Sequence, residues 1–189
     1  MLMLCAISDS EAGIRDRRVE RLIAELGAGN MSAMGELYEL ISPDVYAFAL
    51  SKTANKDNAE DITQDTFIQI YKYAKRYEPK GRPMAWIFTA ELNLIRRQYT
   101  LNSRHTTYDD SLDSEDGGDT ADNISKKILV NELLLRLDEG EREVVVLHIV
   151  SGMKHKEIAE LLGSPLSTIL SRYNRAIKKL QNKVKEDRV

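Results

Sequence analysis

Cysteine is almost missing from this chain of 189 residues: Cys5 is the only one. No disulfide can form within the chain, and a zinc site built on a cluster of cysteines is excluded, so the sequence suits a reducing compartment. Turn formers are scarce as well. With 4 Pro and 10 Gly the composition suits helices better than a loop-rich β protein. No apolar run approaches the roughly 20 residues of a membrane-spanning helix, so direct membrane insertion is not expected. The opening MLMLCAI is short, has no early positive charge and is followed by Asp9-Ser10-Glu11, which reads as an N-terminus and not as a secretory signal. Histidines are few and scattered, at 105, 148 and 155, and there is neither a P-loop nor a GxGxxG fingerprint. No catalytic constellation emerges. The expectation is a protein that is not an enzyme and that needs no cofactor or metal.

What is present is hydrophobic periodicity and segregated charge. At 42% hydrophobic the chain can bury a core, as one domain or two small ones. The net charge of −3 hides four blocks. Residues 153–189 carry nine Lys/Arg against four Asp/Glu, and residues 71–104 carry eight against two. Residues 36–65 carry seven acids against two bases, and residues 109–122 carry seven acids and no base. Local fields of this kind decide partners more than the total does.

Apolar spacing predicts an all-α chain with no strand alternation. Ile14, Val19, Leu22, Ile23 and Leu26 give a first helix over Arg15 to Leu26, ended by Gly27 and Gly29. A second spans Met31 to Ile41, with Met34, Leu37, Tyr38 and Ile41 inward. Ser42-Pro43 is expected to interrupt it, because a residue before proline avoids helical geometry. Helix resumes over Val45 to Thr53. Asp57 or Asn58 is a candidate cap for the next helix, which reaches about Tyr77 and carries Glu60, Asp61, Gln64 and Asp65 on one side. That acidic side is either a solvated face or a docking patch for a basic partner.

Glu78 to Pro83 is a charged loop, and helix returns from Met84 to about Leu101. Trp86, Ala90, Asn93 and Arg97 lie roughly along one of its faces. The loop has Tyr71, Tyr73, Tyr77 and Trp86 nearby, a mixture of cations and flat rings that suits single-stranded nucleic acid. The same rings also read as core. Residues 102–123 are acidic and nearly devoid of large apolar side chains, the composition of a flexible linker. Helices follow over Ile124 to Leu137 and Glu141 to Val150. His155 to Leu180 then reads as two helices about a Gly163 turn, with Ser164 as cap and Pro165 in the first turn. Ile169, Tyr173, Ala176 or Ile177, and Leu180 point inward; Ser167, Ser171, Arg172, Arg175, Lys178 and Lys179 point outward. Two short helices with a basic, polar second one describe a DNA-binding helix-turn-helix, or else an ordinary helical hairpin with a solvated basic face.

Three stretches taken together resemble bacterial extracytoplasmic-function sigma factors of the sigma-70 family: AMGELYELISPDVYAFAL, NAEDITQDTFIQIYKYAKRYEPKGRPMAWIFTAELNLIRR and LDEGEREVVVLHIVSGMKHKEIAELLGSPLSTILSRYNRAIKKL. The resemblance covers about Met31 to Leu180, and its most specific piece is AEDITQDTFIQIYK followed by PMAW. It implies two small helical domains, a region 2-like domain at 1–101 and a region 4-like domain at 124–189, the latter with four helices, joined by the acidic linker at 102–123. The resemblance further implies binding to core RNA polymerase, through its β′ and β subunits, and promoter-specific initiation of transcription. Asp61, Gln64, Asp65 and Phe67 fall where the family docks on the β′ coiled coil. Arg76, Lys80, Arg82, Trp86, Asn93, Arg96 and Arg97 fall where it opens and reads the minus-10 element. Ser167, Thr168, Ser171, Arg172, Arg175 and Lys178 fall where it reads the minus-35 element. An anti-sigma partner, a bacterial cytoplasmic location and retention at a membrane by that partner are implied too. Where the family often has Ala-Arg-Asn this chain has Glu91-Leu92-Asn93, which sets an acid near the expected DNA, and Leu170 stands where Lys or Arg is common. The alternative is a two-domain helix-turn-helix regulator that binds an operator without joining polymerase.

Overall fold

The computed structural model describes residues 2–53, 55–102 and 136–186, and every element among them is helical. Four helices form the first group: α1 (Leu2–Gly27), α2 (Ser32–Thr53), α3 (Lys56–Tyr73) and α4 (Pro83–Asn102). A 3-10 turn, Ala74–Arg76, closes α3. The second group contains α5 (Glu139–Val145), one wider π turn (Val146–Val150), α6 (His155–Leu162) and α7 (Leu166–Glu186). Residues 103–123 of the linker, and the helix expected from Ile124 as far as residue 135, lie outside the described residues.

The expected stripes become the core. Val19, Leu22, Ile23 and Leu26 of α1 meet Leu37, Ile41, Val45 and Phe48 of α2, Ile62, Phe67 and Ile70 of α3, and Ile87, Phe88 and Ile95 of α4. Phe48 and Phe88 pack edge to face with centroids 5.2 Å apart. The cluster does not stop at the first group. Val144, Val146, Leu147, Met153, Ile158 and Ile169 belong to the same apolar body. Accordingly α2 packs on α5 and the π turn, and α4 packs on α6.

Several local expectations are corrected. Pro43 does not interrupt α2; the helix runs through it. Proline removes the N–H that would reach the Glu39 carbonyl; at the next carbonyl Arg15 of α1 donates to Leu40 at 3.0 Å while pairing with Asp44, which ties this turn to α1. The cap of α3 is Asn55, not Asp57 or Asn58: its side chain accepts from the Asn58 N–H at 2.9 Å. Ile14 is exposed, outside the buried stripe of α1, and Tyr38 is exposed on α2. Gly27 does more than end α1. A Cβ there would stand 2.8 Å from the Ala74 carbonyl oxygen, so the residue lets the 3-10 turn approach the helix backbone.

In the second group, Asp138 and Glu141 form a reciprocal cap at the start of α5. Asp138 Oδ1 accepts from the Glu141 N–H at 2.8 Å, and Glu141 accepts from the Asp138 N–H at 3.2 Å. Gly163 ends α6 with φ 62°, the left-handed conformation read for it. The following turn ties back through Ser164 N–H to the Ala159 carbonyl at 3.0 Å. α7 starts at Leu166, and the Pro165 carbonyl takes its first bond from the Ile169 N–H at 3.2 Å.

Candidate nucleic-acid and protein interfaces

α2 and α3 leave a groove between them. Its floor and walls are Met34, Gly35, Tyr38, Phe67, Ile68 and Tyr71, with Glu39 at the edge, and its volume is about 510 Å³. Phe67 is buried as its floor, and the Tyr38 ring lies on it at 4.7 Å. Met31, Tyr38, Ile68 and Tyr71 are exposed large apolar or aromatic side chains around the same place. Helical spacing sets this groove beside the acidic side of α3: Asp61, Gln64, Asp65 and Ile68 follow at steps of three, one and three residues. Asp61, Gln64 and Asp65 are all exposed. Of the four residues read as docking positions, Phe67 lines the groove, while Asp61, Gln64 and Asp65 lie outside its lining, on the exposed side of the same helix. Tyr71 belongs to this groove and not to the basic loop.

The basic loop is built from α1. Glu20 Oε1 accepts from the Tyr77 hydroxyl at 3.0 Å and from the Gly81 N–H at 2.8 Å. Gly81 has φ 69°, a conformation glycine adopts without strain. Burial, with the Glu20 carboxylate next in effect, pushes the Tyr77 phenol up, so it stays a donor to Glu20. Tyr77 and Trp86 pack at 4.9 Å and are both half-buried. Arg76, Asn93, Arg96 and Arg97 are exposed, and Lys80 pairs with Glu78 at 3.0 Å. Arg82 is held by the second group: its guanidinium meets Glu160 at 3.0 Å and Glu157 at 3.5 Å, both on α6.

The acid expected near DNA is not there. Glu91 points into the core, 0% exposed, and neither carboxylate oxygen finds a side-chain or backbone donor of good geometry. Burial pushes its carboxyl well above the usual carboxylate range, so it is neutral there, with only a weak offset from the Ala49 backbone. Leu92 is buried too. The departure at 91–92 is a core substitution, and the outward face of α4 keeps Asn93 and Arg97.

On α7, Ser167, Ser171, Arg175 and Lys178 are exposed, and Thr168 and Arg172 are half-buried. Arg172 is turned to the flank. Its guanidinium lies over Gly140, where a Cβ would stand 3.0 Å from Cζ. It also lines a cleft of about 340 Å³ with Lys52, Arg96, Tyr99, Glu139 and Glu143. Arg175 and Lys179 reach Glu141, at 3.6 and 2.6 Å, and Glu141 is 1% exposed. Behind the helix, His148, His155 and Tyr173 pack ring on ring, with centroids 4.0 to 4.9 Å apart. His148 Nδ1 bonds the Met153 carbonyl at 2.8 Å, and burial, followed by the neighbouring His148, holds the His155 imidazole below its ordinary range. These histidines hold the turn between the π turn, α6 and α7 together.

Some positioning residues were invisible in the sequence. Glu20 is 61 residues from Gly81. Lys52 pairs with Glu139 at 2.8 Å and with Glu143, joining α2 to α5, and Tyr99 donates to the Lys52 carbonyl at 2.6 Å. No local pattern signals any of these; only the fold sets them side by side. Among the described residues no group of three or more His, Cys, Asp or Glu could hold a metal ion, and no helix is long and apolar enough to cross a membrane.

An apolar groove beside an acidic helix side, a basic loop and a helix-turn-helix in one all-α chain agree with a transcription factor of the sigma-70 type, which the comparisons with known proteins show. Residues 37–105 match the family model for Sigma-70 region 2, and residues 127–180 match that for Sigma-70 region 4. The chain is 32% identical over 143 residues to the ECF RNA polymerase sigma factor EcfG of Rhodopseudomonas palustris, covering 73% of this chain and 77% of that one. It is 25% identical to the ECF RNA polymerase sigma factor SigK of Mycobacterium sp., over 85% of this chain and 88% of the relative. Among solved structures, CnrH in complex with the cytosolic domain of CnrY has a TM-score of 0.61 at 26% identity, covering 90% of this chain and 99% of that one. Sigma factor RpoE with the anti-sigma factor NepR from Bartonella quintana has a TM-score of 0.58 at 26% identity, covering 80% and 96%. The protein belongs to the extracytoplasmic-function family of RNA polymerase sigma factors.

Proposed function

We propose that this sigma factor engages its partners through three surfaces. The groove of α2 and α3 docks on the β′ coiled coil of core RNA polymerase, with Asp61, Gln64 and Asp65 as charged and polar contacts on the exposed side of α3 and Phe67 as the floor that shapes the groove. The loop and outward face of α4, with Arg76, Lys80, Arg82, Trp86, Asn93, Arg96 and Arg97, take the opened minus-10 element. An extruded base needs a pocket with stacking and an amide or similar group for its edge, and Trp86 and Asn93 supply those chemistries. The outward face of α7 reads the minus-35 element in the major groove through Ser167, Thr168 and Ser171, while Arg175 and Lys178 hold phosphates. Arg172 joins them once it leaves Gly140. The domain division at 1–101, 102–123 and 124–189 goes with this reading.

One observation carries it: an exposed apolar groove on α2 and α3, with α3 carboxylates that close no ion pair among the described residues, in a protein that also presents a basic helix-turn-helix. A regulator that only binds an operator has no use for the groove, and the region 2 match favours the sigma-factor reading. One structural relative, sigma factor RpoE, was solved with the anti-sigma factor NepR. We extend that to this chain: an anti-sigma protein covers the α2–α3 groove and keeps the factor from polymerase in the bacterial cytoplasm, at the membrane if the partner is anchored there. The test is reconstitution with purified bacterial core polymerase, followed by run-off transcription from a genomic fragment library. Co-elution and promoter-directed transcripts are expected. No co-elution and no transcript from any fragment would sink the reading.

A further inference from the structure

The recognition helix carries two leucines that its own packing does not use. Ile169, Tyr173, Ala176 and Leu180 seat α7 on the rest of the chain. Leu166 and Leu170, one turn apart at its start, remain 43% and 40% exposed. At roughly 100° per residue, Leu170 lies about 40° from Asn174 and about 60° from Ser167, so it is contiguous with the polar outward face. That face carries Arg175 and Lys178 further along the helix, a charge pattern made for a phosphate backbone. Scattered surface leucines need no explanation. Two on the leading turn of a helix whose neighbours are Ser167, Ser171, Asn174 and Arg175 are a different matter.

The edges of base pairs in the major groove are nearly all donors and acceptors. Their one apolar feature is the 5-methyl group of thymine. Leucine offers no hydrogen bond, so setting it against guanine or cytosine would bury polar groups without partners. We infer that Leu170, with Leu166 beside it, packs on thymine methyls of the minus-35 element and makes this factor select thymine there. This rests on the proposal that α7 reads that element, and adds which base chemistry it prefers. The face is free to do so: among the described residues α7 packs on α5 and α6, with its leading outward turn open.

Uracil differs from thymine at this edge by the methyl alone. The experiment uses full-length protein with core polymerase. An upstream element is selected from a randomised duplex pool, and each thymine in it is then replaced by deoxyuridine, one at a time. Affinity is expected to fall about fourfold at one or two positions, the effect of one buried methyl. In Leu170→Ala the thymine and uracil duplexes should bind alike at one of those positions, whereas Leu170→Met should keep the preference. Because Leu170 is exposed, neither variant should unfold the protein. The inference is overturned if the selected element contains no thymine, if uracil and thymine bind equally everywhere, or if Leu170→Ala keeps the full discrimination. An equal loss on all duplexes in Leu170→Ala also overturns it and points to a protein contact. Normal initiation together with any of these leaves the sigma-factor reading standing. Failure of promoter-directed initiation brings down both.

Discussion

The outward faces of α3 and α7 are both charged, but their charges are treated differently. On α3 the carboxylates of Glu60, Asp61 and Asp65 close no ion pair among the described residues. On α7, Arg175 and Lys179 both converge on Glu141, a carboxylate buried at the start of α5. A charge cluster that its own fold neutralises is structure. One that the fold leaves without counter-ions is a surface awaiting a partner, since like charges four residues apart repel slightly in isolation. By that measure α3 fits the docking role proposed for it. Part of the basic charge of α7 is held inside the protein, most closely Lys179; Arg175, 3.6 Å from Glu141 and 60% exposed, stays within reach of the outward face beside Lys178.

The comparison can be broken by substitution. Glu141→Ala removes a buried carboxylate that caps α5 and holds two cations; loss of such a partner should cost about 3 kcal/mol in chemical denaturation. A loss under about 0.5 kcal/mol would place Glu141 with ordinary surface charges. Asp61→Lys combined with Asp65→Lys should leave stability unchanged and weaken binding to core polymerase on the order of a hundredfold, because like charges then face the partner. Unaltered binding would remove α3 from the interface.

Smaller effects come from groups turned inward. Glu91 and Asp16 bind protons more tightly in the folded chain than in the unfolded one. Burial, with Glu157 of α6 next, raises Asp16 from 3.8 to about 6, and burial raises Glu91 well above the usual carboxylate range. An acid whose folded value is raised destabilises the fold as pH climbs from its unfolded value to its folded one. Stability should therefore fall between pH 4 and about 6 on account of Asp16, and Glu91 should add to the fall as pH climbs through its own raised value. Glu91→Gln should flatten the upper part of that slope in thermal melts across pH; an unchanged slope would contradict a neutral buried carboxyl. Arg82→Ala is expected to do least. Its pairs with Glu157 and Glu160 are half-exposed, worth below about 1 kcal/mol, so only a small loss of stability should accompany a larger loss of promoter opening.

Periodic apolar residues made the helices legible, because burial of one stripe per helix follows directly from spacing. Gly163, Leu22, Leu37 and Ile169 took the places their neighbours implied. Pro43 misled because the donor that supports its turn comes from Arg15 on another helix. Asn55 displaced two plausible caps because cap choice depends on where the preceding chain leaves α2. Tyr38 looked inward by spacing alone, yet it stands at a groove, with its ring against Phe67 on one side and exposed on the other. Glu91 is the sharpest case. A charged residue beside basic ones reads as surface, and only the rotation of α4 against α2 turns it inward. The acidic run on α3 was legible in the sequence; the apolar groove, drawn from two helices, was not.

Polymerase docking and DNA reading are proposed to act as one device. The affinity of the full-length protein for a fluorescent promoter duplex, measured with and without core polymerase across a salt series, tests this. Weak binding is expected alone, and tight, salt-sensitive binding only with core polymerase, lost in the Asp61→Lys, Asp65→Lys protein. Equally tight binding without polymerase would contradict it.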